Sequence, residues 1–183
     1  MANFKTHVTV AITISSALTV GLLIIDLATP KTALFYALLG TLGGILPDLD
    51  SPHSIPAQLF FTLSGILFAS LLTISQLPKL SQVELLLLGG TTYFSVYYGM
   101  SKLVAKLTIH RGNFHSVLAA LWFGLATTAG AYQLFEIREL VALLAGAFLT
   151  LGYLVHLLLD EIYSVDLAKR KIKKSYGSAL KLA

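Results

Sequence analysis

The chain has 183 residues, 56% of them hydrophobic and 12% charged, with a mean hydropathy of +0.79. A soluble domain carries about 25% charged residues, so half of the usual solvated surface is missing and a water-soluble globule is excluded. Cysteine is absent, which excludes disulfides and thiolate metal ligands, and the net charge of +4 is concentrated near the C-terminus.

An apolar run of about 20 residues is needed to span the hydrocarbon core. Val8 to Ile25 is uncharged and ends at Asp26, followed by the turn Thr29-Pro30-Lys31. It follows only Lys5, and no A-x-A site precedes Asp26, so it is expected to be a retained helix rather than a cleaved signal. Thr32 to Leu46 is apolar but short and stops at Pro47. Ile55 to Leu77 is closed by Pro78-Lys79. Val83 to Met100 follows, with Glu84 at its start and Lys102 beyond its end. Phe114 to Phe135 and Ile137 to Leu159 complete the set, separated near Glu136, Arg138 and Glu139. The expected fold is therefore all-α, a polytopic membrane bundle of about six helices with short loops. Residues 1–166 form the membrane-embedded domain, and residues 167–183 a basic cytoplasmic tail.

With six spans both termini lie on one side. That side carries Lys5, Lys102, Lys106, Arg111, Lys169, Arg170, Lys171, Lys173, Lys174 and Lys181, ten of the thirteen Lys and Arg; the other carries Lys31, Lys79 and Arg138. The excess of basic residues places both termini in the cytoplasm of a multi-pass membrane protein. The basic tail reads as a topology anchor on anionic lipid, with membrane lipids rather than nucleic acid as partners. Gly40 and Gly44 form a G-x-x-x-G spacing and Gly89-Gly90 lies in another span, which suits close helix packing in lipid.

On this topology the polar residues gather at one face. His7 lies before the first helix, Asp48, Asp50 and His53 after the second, His110, Arg111 and His115 after the fourth, and His156 and Asp160 close the sixth, followed by Glu161 and Asp166. All five histidines and four of the five aspartates map to the cytoplasmic ends; Asp26 alone is opposite. Ionisable groups near the bilayer are expensive and usually pair or serve function. Imidazole and carboxylate suit zinc first, with manganese or iron also possible. His156 and Asp160 are four apart, on one helix face, and can share an ion. The fifteen-residue second helix is about 22 Å long, so Asp48 and Asp50 are expected below the headgroup plane, where a lipid substrate enters sideways. His53, Glu161 and Asp166 are read as structural or solvated groups.

Thr6-His7, the run Leu46-Pro47-Asp48-Leu49-Asp50-Ser51-Pro52-His53-Ser54, the run His110-Arg111-Gly112-Asn113-Phe114-His115-Ser116, and Gly152 through His156 to Asp160 resemble the YdjM-like family of membrane-bound metal-dependent hydrolases, itself distantly similar to zinc-dependent phospholipase C. The resemblance covers residues 6 to 160. It implies metal-binding roles for His7, Asp48, Asp50, His110, His115, His156 and Asp160, with Arg111 as a bidentate phosphate clamp. The chain departs from the family pattern at Ser51, Phe114 and the segment from Glu161 to Asp166. The expected function is a divalent-metal phosphoesterase, zinc first, acting on a lipid or lipid-linked phosphate in the inner membrane, with Asp48 or Asp50 as general base. A metal transporter, or a scaffold with a structural metal, are the alternatives. Transport sites usually sit near the midplane, whereas the long spans here are uncharged at their middles.

Overall fold

The first helix begins at Asn3 in the computed structural model, which describes residues 3–107, 114–166 and 171–172. The Asn3 side chain accepts from Thr6 N at 2.8 Å, supplying one of the bonds that a helix start lacks. The helix so capped, α1, runs Phe4–Ile24. His7, expected just outside, therefore falls within its first turns. The chain reverses through Asp26, whose φ of 56° is a left-handed conformation that Asp tolerates. Thr29 and Thr32 form a reciprocal capping box with Pro30 at the first turn of α2, Pro30–Gly43. A short 3-10 helix, Leu46–Asp50, replaces the expected last helical turn. Then come α3, Ile55–Gln76, capped by Ser54, and α4, Gln82–Leu107. Ser116, which accepts from Ala119 N at 3.1 Å, starts α5, Val117–Gln133. Last is α6, Glu139–Ile162, and a two-residue ladder of β1, Val165–Asp166, with β2, Lys171–Ile172.

Six helices are present among the described residues, as expected, but their limits shift. Lys102 does not end α4, because Lys is a good helix former whose stem can lie along apolar surface while its charge reaches water. Phe114 does not begin α5, because Ser116 is the residue able to cap it. The β ladder crosses the expected limit between membrane domain and tail. Three helices, α1, α3 and α6, are long and apolar enough to cross a membrane. The other three differ for separate reasons: α2 has 14 residues and α5 has 17, while the apolar run of α4 is diluted by Glu84 and by its glycines, threonines and tyrosines. Large apolar side chains face outward on every helix, among them Ile24, Leu38, Leu67, Leu86, Trp122 and Leu158. Apolar cover of this extent fits lipid contact, not water.

The chain divides into two compact units, Met1–Pro47 with Arg111–Ala183, and Asp48–His110. In the second unit α3 packs on α4, with Phe61 against Tyr97 edge-on at 6.0 Å and Gly65 under Tyr93.

In the first unit α6 packs against α1, α2 and α5. Its buried face runs Ala142, Ala145, Gly146, Phe148, Leu149, Gly152, Tyr153, His156, Leu157, Asp160, with small side chains recurring at three- to four-residue spacing among larger ones. Helices in lipid associate through such close contact. An added Cβ on Gly152 would stand 1.8 Å from Gly40 O and 2.9 Å from Gly44 N, so α2 and α6 meet backbone to backbone. The inward face of α1 is His7, Ala11, Ser15, Thr19, one residue per turn. The two stripes converge at the end where α1 begins and α6 finishes.

Candidate metal centre

Three residues of the first unit meet at that end. His7, one turn into α1, and His156 and Asp160, on the last turns of α6, are all buried. Each offers a ligand atom lying within 4.8 Å of the other two. His7 Nε2 is 3.3 Å from Asp160 Oδ1. The His7 and His156 rings stack, centroids 3.8 Å apart and planes 13° apart. His115, placed by the Ser116 cap at the mouth of α5, is also buried; its Nε2 is 4.0 Å from Asp160 Oδ2, and its ring stands edge-on to His156 at 5.7 Å.

The orientation of His156 is settled by chemistry. Its Nδ1 lies 2.8 Å from the carbonyl oxygen of Gly44, an acceptor only. Nδ1 therefore carries the proton and donates, and the neutral ring holds its lone pair on Nε2. A backbone carbonyl holding the far nitrogen of an imidazole is the usual support of a metal-ligating histidine. That bond exists because Gly152 lies one turn before His156 on α6 and lets α2 approach closely. Tyr153, on the same turn, donates its hydroxyl to Phe114 O and ties down the backbone just before His115.

The donor set fits a divalent cation. Two ligands at about 2.0–2.1 Å from a tetrahedral ion stand about 3.3 Å apart, which is the His7–Asp160 spacing. A charge-assisted hydrogen bond between imidazolium and carboxylate is shorter, about 2.7–2.9 Å. Two nitrogens and one carboxylate oxygen, without sulfur, suit zinc, with manganese or iron also compatible.

Of the expected site residues, His7, His115, His156 and Asp160 come together in one unit. Asp48 and Asp50 belong to the other, in the 3-10 helix, where Asp50 is buried and Ser54 Oγ donates to Asp48 O at 2.5 Å. His53 follows that turn, its carbonyl accepting from Gln58 Nε2 at 3.2 Å. His110 and Arg111 lie outside the described residues. Glu161 accepts through its backbone carbonyl from Ser164 Oγ at 2.6 Å, and Asp166 joins the β ladder. Two contributors escaped the sequence reading: the Gly44 carbonyl, which any residue type supplies, and Tyr153. The G-x-x-x-G spacing did mark the α2 backbone as one that something approaches.

A family model described as YdjM inner membrane protein matches residues 1–168. No curated protein and no solved structure matches the chain.

Proposed function

The chain belongs to the YdjM inner membrane protein family, and from that premise we propose that its buried histidine–aspartate cluster is the divalent-metal centre of a membrane-embedded hydrolase, acting on a phosphoester carried by a lipid. The observation that carries the reading is the meeting of His7, His156 and Asp160 within 4.8 Å, with His156 held through Nδ1 so that Nε2 is the coordinating atom. When bound, a divalent ion supplies Lewis acidity toward a phosphoryl oxygen and a nucleophile at neutral pH. Zinc is the first choice for this donor set.

The chain's own residues do the rest. Asp160 brings negative charge that offsets the cation in a low-dielectric setting, and the Gly44 carbonyl fixes the tautomer of His156. His115 flanks the cluster beside Asp160. Arg111 is the candidate phosphate clamp, His110 a further ligand, and Asp48 or Asp50 the candidate general base; these roles rest on the sequence motif.

The six helices are read as six spans, and the ten-to-three distribution of Lys and Arg supports a topology with both termini, and with them the cluster, at the cytoplasmic face. A site at the end of the spans suits a phosphate attached to an acyl chain. A transporter is expected to keep its ionisable groups nearer the midplane.

The test is metal analysis of the detergent-purified protein beside His156→Ala and Asp160→Asn, followed by phosphate release from phospholipid and lipid-phosphate substrates. Stoichiometric zinc, manganese or iron in the wild type, lost in both variants together with lipid-phosphate hydrolysis, supports the proposal. Full hydrolysis by either variant sinks the mechanism, and bound metal with flux through proteoliposomes but no hydrolysis replaces it with transport.

A further inference from the structure

The opposite end of the first unit carries a second polar feature. The 21 residues of α1 rise about 31 Å, close to the roughly 30 Å of a hydrocarbon core. The turn after α1 therefore stands at the far membrane surface when His7 stands at the near one. There a cleft of about 210 Å³ opens between the Asp26–Thr29 turn, the start of α2 and the start of α6. Asp26 and Arg138 both line it, on separate segments. Among the described residues neither forms an ion pair. The remaining wall is largely apolar, including Leu27, Leu140 and Val141.

We propose that this cleft binds the headgroup of a phospholipid bearing both a phosphate and a primary ammonium, with the phosphate at Arg138 and the ammonium at Asp26. A guanidinium and a carboxylate lining one cleft from different segments suit a ligand that carries both an anion and a cation. The surroundings select a lipid over a soluble zwitterion. Ile24 and Ile25 are 76% and 60% exposed, and Leu140 53%, an apolar rim on both sides for acyl chains. A quaternary ammonium has no N–H to donate to Asp26, and a glycerol headgroup has no cation, so phosphatidylethanolamine is favoured over phosphatidylcholine and phosphatidylglycerol.

The site is independent of the metal centre, so metal content serves as a check on folding. The experiment titrates the delipidated full-length protein with these three lipids, matched in acyl chains, and reads retention by native mass spectrometry. Phosphatidylethanolamine is expected to be retained about fivefold over the others, the size of one solvent-exposed ion pair. Asp26→Asn should erase that preference while leaving phosphatidylglycerol binding in place. Arg138→Gln should weaken all three. Equal retention of the three lipids by the wild type, or a preference that survives Asp26→Asn, overturns the proposal. Displacement of the lipid by soluble phosphoethanolamine at comparable concentration overturns the assignment to a membrane lipid.

Discussion

Replacing Gly152 by Ala adds one carbon at the tightest approach between α2 and α6. The new Cβ would lie 1.8 Å from Gly40 O, whereas a carbon rests about 3.3 Å from a carbonyl oxygen. Both atoms are backbone-anchored, so the overlap of about 1.5 Å cannot be relieved by turning a side chain. The helices must separate. Gly44 is one turn beyond Gly40 on α2, and its carbonyl receives the His156 bond at 2.8 Å. A retreat of about 1.5 Å along that bond takes it past 4 Å, where no hydrogen bond remains.

Overpacking of this kind costs about 1–3 kcal/mol, and the lost bond about 0.5–1.5 kcal/mol. Together they give roughly 2–4 kcal/mol, a fall in Tm of about 4–15 °C for a chain of this size. Losing the group that orients a metal-ligating histidine typically weakens metal binding about 10- to 100-fold. The comparison variant is Gly130→Ala on α5, where an added Cβ meets nothing within 4 Å. It should be neutral or slightly stabilising, since Ala exceeds Gly in a helix by about 0.5–1 kcal/mol. Thermal unfolding in detergent and competition with a chelator measure the two effects. Equal melting of the two variants, with unchanged metal affinity in Gly152→Ala, would refute the backbone contact and the coupling built on it.

Tyr153→Phe removes the hydroxyl that donates to Phe114 O; it should cost about 1 kcal/mol and weaken metal binding several-fold by loosening the approach to His115. A variant that melts and binds metal like the wild type would show that this bond does not hold His115. Thr29→Ala breaks the capping box at the start of α2 and should cost about 1 kcal/mol with metal affinity unchanged, because the cap and the cluster occupy opposite ends of the unit. A loss of metal in Thr29→Ala would mean that α2 responds as one rigid body.

The meeting of His7, His115 and His156 was legible because successive helices of a bundle alternate direction, so residues at alternate ends fall on one face. His156 and Asp160 were legible as a pair because spacing of four puts them on one helix face. Gly40 and Gly44 announced a close approach, but not what approaches. The partner, Gly152, is more than a hundred positions away, and the His156–Gly44 bond spans 112 residues. A carbonyl acceptor leaves no mark in residue type. The Tyr153 contact was hidden for a related reason, since an aromatic residue near a membrane end is more often an interfacial anchor. Helix limits moved where a run of hydropathy and a capping residue disagreed, as at Phe114 and Ser116.

The inward face of α1 is written in the opposite sense to that of a water-soluble helix. On α1 the buried positions are His7, Ala11, Ser15 and Thr19, while Ile12, Leu18, Val20 and Ile24 face outward. Where the solvent is as apolar as the core, an apolar side chain gains little by turning inward. Small residues gain close contact, and polar ones gain partners they lack in hydrocarbon. The inner face is therefore found by following small and polar residues at helical spacing. On α6 small and polar residues share the buried face with Phe148, Leu149, Tyr153 and Leu157, and that face runs on to His156 and Asp160 without a break between packing surface and candidate metal centre. The same close approach that joins the helices brings the Gly44 carbonyl to His156, so in this unit the packing surface and the candidate metal centre share one stretch of backbone.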